Sequence, residues 1–125
     1  MVGKIVLDTN ALVYYLQGEE PWVQFIHDLK DLTRYASVIT RLELLSKPGI
    51  PPEEEDKVLR FLSCLDIVPL DDQVERTAIL LRRECRLKTP DAMIAASAIT
   101  LGARLVTGDE SMQRVVWPGF SVIFP

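Results

Sequence analysis

Short apolar segments rich in β-branched residues alternate with helix-like segments along the whole chain. The apolar segments predict five strands, at residues 4–7, 35–39, 67–70, 104–106 and 121–124. Between them, apolar periodicity and boundary residues predict helices at 9–16, 21–32, 40–46, 53–65, 72–86, 89–101 and 109–115. Strands that alternate with helices usually form a parallel sheet covered on both faces. We therefore expect an α/β fold, an α/β/α sandwich around a mostly parallel central sheet.

The length and the content of special residues narrow the class of protein further. A chain of 125 residues has the size of one domain, so residues 1–125 are expected to form a single unit. No apolar run is long enough to span a membrane or to form a signal peptide, so we expect no membrane association. The two cysteines, Cys64 and Cys85, lack metal-ligand spacing and favour a reducing, cytoplasmic location. A single histidine, His27, leaves little material for a zinc site or a histidine-activated nucleophile.

Four carboxylates stand near predicted strand ends or helix starts, and these are Asp8, Glu43, Asp91 and Asp109. Ligand sites of parallel sheets form at the carboxyl ends of strands, where Asp8 and Asp109 fall. Each acid also has a purely structural explanation as a helix cap or first-turn acid. Thr40 and Glu43 have the spacing of a capping box, and the pattern alone does not bring Asp91 to the sheet edge.

Gathering the four acids at one place would carry an electrostatic cost. Like charges in one pocket raise one another's pKa unless a cation lies among them. Oxygen ligands without histidine or cysteine suit Mg²⁺ or Mn²⁺. The composition is therefore compatible either with four separate helix-start acids or with one divalent-metal site.

Four segments of the chain resemble the motifs of one nuclease family, in the same order. They are residues 5–12 (IVLDTNAL), 39–45 (ITRLELL), 87–98 (LKTPDAMIAASA) and 105–109 (LVTGD). Together they are similar to the four acidic motifs of PIN-domain ribonucleases, especially VapC-like toxins of toxin–antitoxin pairs. The third segment is the most specific. One departure is Met112, which stands where the family often has Phe.

This resemblance implies a metal-dependent endoribonuclease that cleaves single-stranded RNA with a metal-activated water. It implies that Asp8, Glu43, Asp91 and Asp109 are the catalytic and metal-binding acids, with Mg²⁺ or Mn²⁺ as cofactor. It also places Asn10 and Thr107 beside the site as polar supports. The implied partners are an RNA substrate, a cognate antitoxin protein and a second copy of the chain in a homodimer. Four large aromatic residues also favour partner surfaces: Tyr14, Tyr15, Trp22 and Trp117.

The net charge of −4 argues against a broad basic face for nucleic acid. When the four candidate site acids are set aside, however, 14 acidic residues balance the 14 basic ones. A basic stretch then leads into the Asp91 segment, and we predict that it follows RNA phosphates. Its members are Arg82, Arg83, Arg86 and Lys88. A solvated helix face with favourable charges at its carboxyl end is the alternative.

Three other functions compete with the ribonuclease. A PIN-like nuclease acting on DNA or flap substrates uses the same acids. A phosphoacceptor receiver domain also has acids at strand ends, but it normally has paired acids after its first strand and a lysine after its last. Here Asp8 is followed by Thr9 and Asn10, and no lysine follows the last predicted strand. A catalytically silent PIN scaffold is disfavoured because all four acids are present.

Overall fold

The computed structural model describes residues 3–125. Five strands form one sheet: β1 (Lys4–Leu7), β2 (Thr33–Ser37), β3 (Asp66–Val68), β4 (Arg104–Val106) and β5 (Val122–Ile123). Their order across the sheet is β3-β2-β1-β4-β5, and every neighbouring pair is parallel. Because all strands run the same way, their carboxyl ends lie along one edge.

Seven helices complete the described chain. They are α1 (Thr9–Leu16), α2 (Trp22–Asp28), α3 (Val38–Leu45), α4 (Pro52–Leu62), α5 (Asp72–Cys85), α6 (Thr89–Leu101) and α7 (Glu110–Gln113). No helix in residues 3–125 has both the length and the apolar character that crossing a membrane requires.

Two apolar clusters, one on each face of the sheet, hold the layers together. On one face Val6 of the central strand packs with residues of α5 and α6, including Leu81 and Ala95. On the other face Ile5 and Leu7 pack with residues of α1, α2 and α4. From Ile5 to Leu7, β1 is buried on both sides and continuously apolar, as is typical of the centre of a parallel sheet. The predicted α/β/α sandwich is therefore confirmed, with a sheet that is parallel throughout.

The main error of the sequence prediction concerns the second strand and the helix after it. The strand was expected at residues 35–39, but β2 runs from Thr33 to Ser37 and α3 begins at Val38. Ser37 ends the strand because its Oγ accepts a hydrogen bond of 3.0 Å from Ile39 N and caps α3. The cap thus outweighs the strand preference of the β-branched Val38 and Ile39.

The remaining differences are at element ends. The structure shortens α2, α7 and β5 relative to the predictions and ends α4 at Leu62, three residues early. Helix α5 ends at Cys85, and Arg86 is its carboxyl cap in the left-handed conformation. Such shifts arise because side-chain caps and frayed last turns are poorly marked in apolar periodicity.

Candidate active site

Asp8 lies at the carboxyl end of β1 and is 3% exposed. Its Oδ1 accepts a hydrogen bond of 2.7 Å from Thr9 N, and its Oδ2 accepts one of 2.7 Å from Thr107 Oγ1. Burial raises the pKa of Asp8 to about 6, and the nearby charges of Asp91 and Asp109 act in the same direction. The two hydrogen bonds stabilise the carboxylate and oppose this rise. Asp8 therefore caps α1, and it is also a buried acid whose charged form is destabilised by burial and by neighbouring carboxylates.

Asp91 lies in the first turn of α6 and is partly buried. Asp91 is thus the first-turn acid of a helix whose cap residue is Lys88 and which no side chain caps. Burial raises the pKa of Asp91, and the charges of Asp109 and Glu43 raise it further, while Lys88 lowers it. Asp91 thus lies close enough to the other three acids to interact with them electrostatically. The sequence pattern alone did not predict this position for Asp91.

Glu43 reaches the same region from α3. The capping-box explanation is wrong, because α3 begins before Thr40, and Thr40 is buried inside the helix. Thr9 Oγ1 donates a hydrogen bond of 2.8 Å to Glu43 Oε1, and the same hydroxyl lies 3.0 Å from Thr40 Oγ1. The side chain of Glu43 is therefore directed toward the start of α1, next to Asp8.

Asp109 follows β4 and caps the short helix α7. Its Oδ1 accepts hydrogen bonds from Ser111 N at 2.9 Å and from Ser111 Oγ at 2.7 Å. Its own backbone N donates to Thr107 Oγ1 at 3.1 Å. The cap description is thus correct for Asp109, but Asp109 also raises the pKa of both Asp8 and Asp91. Capping and membership of one acidic cluster are compatible.

Two polar side chains fix the loop between β4 and α7. Thr107 is fully buried, and its hydroxyl joins Asp8 to the backbone of Asp109. Asn10 Oδ1 accepts a hydrogen bond of 3.0 Å from Gly108 N, and Asn10 Nδ2 lies 3.5 Å from Thr107 Oγ1. Through these contacts, both side chains connect the loop that carries Asp109 to the start of α1.

Sequence reasoning missed three hydroxyl residues of this network: Thr9, Thr40 and Ser111. Thr9 directly follows Asp8, which is a signal that could have been used. Thr40 was assigned to a helix cap, so its packing against Thr9 could not be foreseen from the sequence.

An aromatic pair stands behind the loop. The rings of Tyr14 and Trp22 lie 5.1 Å apart, and they pack against Gly108. A Cβ atom on Gly108 would lie 2.8 Å from Trp22 Cζ2 and 3.3 Å from Tyr14 Cε2. Because real Cβ atoms do not approach that closely, the rings require glycine at this position and restrict the loop that carries Asp109.

The four predicted RNA-contacting residues separate into two groups. Arg86 and Lys88 line a cleft of about 360 Å³ together with Asp91, Asp109 and Ser111. Arg82 and Arg83 lie on α5 and do not line this cleft. Arg82 instead donates from Nε to the carbonyl oxygen of Leu87 at 3.2 Å.

The donor set of the cluster fits a hard divalent cation, because it consists of carboxylate oxygens with hydroxyl groups nearby. Within residues 3–125, no group of three or more His, Cys, Asp or Glu residues has the geometry of a metal-chelating cluster. Mg²⁺ normally keeps several of its waters and takes only one or two carboxylates directly. The four acids interact electrostatically but are not arranged to bind an ion directly all at once. This arrangement therefore suits an ion that is bound partly through its waters.

Comparison with known proteins gives one family match and several structural matches. The PIN domain family model matches residues 5–118. No curated protein sequence matches the chain. Among solved structures, VapBC2 from Rickettsia felis bound to a DNA fragment from its promoter contains a chain that is 26% identical, with a TM-score of 0.83 and coverage of 97% of this chain and 98% of that one. A toxin–antitoxin complex from Klebsiella pneumoniae matches at 25% identity and a TM-score of 0.81, covering 93% and 94% of the two chains. DNA-bound VapBC from Salmonella typhimurium matches at 25% identity and a TM-score of 0.81, covering 99% and 98%.

The contact of Trp22 with Gly108 predicts a specific pattern of stabilities. Gly108→Ala should lower the free energy of unfolding by about 1–3 kcal/mol, because the added methyl group overpacks the site against Trp22. In a Trp22→Leu background the same substitution should cost clearly less, since the smaller side chain leaves room. Chemical denaturation of the two single variants and the double variant measures this coupling. Strictly additive losses would show that Trp22 does not restrict Gly108.

The raised pKa of Asp8 predicts how stability depends on pH without metal. An acid whose pKa is about 6 in the folded protein and 3.8 in the unfolded chain binds more protons when folded between these values. Its contribution to stability therefore falls as pH rises from about 4 to about 6, by an amount on the order of 2–3 kcal/mol. In EDTA, the stability of Asp8→Asn relative to wild type should rise across this range and then level off. A difference that stays constant from pH 4 to pH 7.5 would contradict the buried-acid description.

Proposed function

The chain belongs to the PIN-domain family, and on that premise we propose that it is a metal-dependent endoribonuclease that cleaves single-stranded RNA. One observation carries the proposal: Asp8, Glu43, Asp91 and Asp109 come from four different parts of the chain and influence one another electrostatically at one edge of the sheet. We propose that residues 1–125 act as one nuclease domain and that these four acids are its catalytic and metal-binding residues.

Each of the four acids has a defined task in this proposal. Asp8, buried and held by Thr107 and Thr9, is a fixed ligand, whereas Asp91 lies at the open cleft and faces the substrate side. Glu43 is oriented by Thr9, and Asp109 by Ser111. A Mg²⁺ or Mn²⁺ ion held by these acids would lower the pKa of a coordinated water and offset the negative charge that develops on the phosphate. No histidine is needed as a base, in keeping with a chain whose only histidine, His27, contacts Tyr15.

The protein's own residues provide the remaining functions of the site. Asn10 and Thr107 keep the β4–α7 loop in place, so Asp109 stays beside Asp8. Asp8 and Asp91 hold protons more tightly than free carboxylic acids, because burial and neighbouring charges raise the pKa of both. Protons would compete with a cation for these two carboxylates, so we expect activity to fall as pH drops toward 6.

We further propose that the chain is the toxin of a toxin–antitoxin pair acting in the cytoplasm. The matched structures from Rickettsia felis and Klebsiella pneumoniae are a VapBC complex and a toxin–antitoxin complex. Residues of α1, α3 and α4 form a groove of about 370 Å³ that could accept an apolar segment of an antitoxin. The apolar residues that line it are Val13, Leu16, Leu44 and Val58. The free thiols of Cys64 and Cys85 suit a reducing compartment.

The homodimer also belongs to this proposal. The aromatic residues that suggested partner surfaces are all partly buried. Tyr14 packs against Trp22 and Tyr15 against Phe61, with tilted rings in both pairs, and Trp117 packs against the cluster around α5 and α6. Internal packing thus occupies these rings, and better support for a contact surface comes from exposed apolar residues such as Leu42, which is 59% exposed on α3.

The ribonuclease proposal predicts the effect of removing one acid. Asp91→Asn should lower the rate of cleavage of a single-stranded RNA by a hundredfold or more in Mg²⁺, because a ligand of the essential ion is lost. EDTA should abolish wild-type cleavage, and Mg²⁺ or Mn²⁺ should restore it. The matched control is Asp72→Asn, which changes an exposed first-turn acid of α5 and should leave the rate unchanged.

Gel analysis of a labelled single-stranded RNA, a structured RNA and a single-stranded DNA of the same sequence measures these rates. Cleavage of the DNA but of neither RNA would show that the substrate is DNA and that the proposed RNA substrate is wrong. Equal rates for wild type and Asp91→Asn would contradict the proposed site.

A further inference from the structure

The residue that leads out of α5 has an unusual backbone conformation. Arg86 has φ 56° and ψ 31°, and it is the one residue other than glycine with a positive φ in residues 3–125. A side chain at Cβ disfavours this left-handed region, and glycine is the usual residue where a helix ends in this way. Such conformations in non-glycine residues occur preferentially at functional sites. The end of the helix alone therefore does not explain why arginine, and not glycine, occupies this position.

The left-handed turn directs the chain along the acidic cleft. Leu87, the next residue, is buried, and its carbonyl oxygen accepts the hydrogen bond from Arg82 Nε. Arg86 and Lys88, on either side of Leu87, are exposed and both line the cleft that contains Asp91 and Asp109. The turn thus places two cations at the rim of the proposed catalytic site, with an anchored apolar residue between them.

Neither cation forms an ion pair within the described part of the chain. The ion pairs formed among residues 3–125 are Lys47–Glu54, Arg60–Asp56 and Arg114–Glu110. Lys88 acts on Asp91 through its charge, so it lies near the acid. Arg86 and Lys88 therefore remain available for an anionic ligand at the cleft.

We propose that Arg86 and Lys88 bind a backbone phosphate of the single-stranded RNA next to the cleaved bond, and that the left-handed conformation of Arg86 is retained for this contact. This inference rests on the proposed function. Of the four basic residues that the sequence predicted to contact RNA, it assigns the contact to these two. Arg82 supports the turn, and Arg83 lies on the exposed surface of α5, where a solvated charge is sufficient explanation.

The substitution Arg86→Gly separates this contact from a structural role. Glycine adopts the left-handed conformation without the steric clash of a Cβ atom, which offsets its larger loss of backbone entropy, so the melting temperature should stay the same or rise. RNA affinity should nevertheless fall at least fivefold. The slope of log K against log salt should become shallower by about 0.7, the value for one phosphate contact on a single strand. A residue that only shaped the turn would not change the salt slope when replaced by glycine.

Fluorescence anisotropy of a labelled single-stranded oligoribonucleotide with Mg²⁺ present measures the affinity. All variants carry Asp91→Asn, so that the probe stays intact. Arg86→Lys keeps the charge and should retain most of the affinity and of the salt slope. Lys88→Gln should weaken binding and reduce the slope in the same way as Arg86→Gly. Arg83→Ala is the matched control on the same helix and should change neither quantity.

The outcomes for the two proposals are distinct. If Arg86→Gly binds the RNA with the affinity and salt slope of its parent, or if the parent binds no RNA, the phosphate contact is wrong. Equal losses from Arg83→Ala and Arg86→Gly would also overturn it, because a general charge effect would then explain both. Failure of the wild type to cleave RNA in Mg²⁺ or Mn²⁺ overturns the proposed function instead, and leaves the binding comparison to decide the role of Arg86.

Discussion

The hydrogen bond from Thr107 Oγ1 to Asp8 Oδ2 joins the carboxyl ends of two neighbouring parallel strands. Leu7 and Val106 are paired in the sheet, so the residues that follow them, Asp8 and Thr107, come side by side. Both side chains are buried, where a lost hydrogen bond would be costly. The same hydroxyl accepts from the backbone of Asp109, so one threonine positions two acids. The arrangement of the site therefore depends on sheet register first and on side-chain contacts second.

The sequence predicted the architecture well because its signals were local and repeated. Apolar β-branched strands bounded by helices with clear periodicity identify a parallel sheet, and its carboxyl edge places Asp8 and Asp109. The predicted start of α3 was wrong because the helix cap formed by Ser37 outweighed the strand preference of two β-branched residues. That error also concealed Thr40 and its contact with Thr9. Asp91 could not be placed by strand order, because its helix follows α5 and reaches the cleft only through the turn at Arg86 and Leu87.

The acidic cluster is a source of instability that the rest of the fold offsets. Burial and mutual repulsion raise the pKa values of Asp8 and Asp91, so their charged forms cost free energy at neutral pH. Part of this cost is offset locally, by the hydrogen bonds to Asp8 and by the charge of Lys88 near Asp91. Acids that served only as helix caps would show the opposite sign, since a charge at a helix start is stabilising. A cost of this kind is typical of sites kept for function, where activity and stability are in conflict.

Thermal unfolding of wild type and Asp91→Asn, with EDTA and with Mg²⁺, tests the shared acidic site most directly. In EDTA near pH 7 the variant should melt at a higher temperature than wild type, because it relieves repulsion around Asp91. Mg²⁺ should raise the melting temperature of wild type, by an amount equivalent to about 2.7 kcal/mol at a hundred times the dissociation constant. It should raise that of Asp91→Asn much less. If Asp91→Asn melts lower than wild type in EDTA and Mg²⁺ shifts both proteins equally, Asp91 is only a helix-start acid and the four carboxylates do not form a metal site.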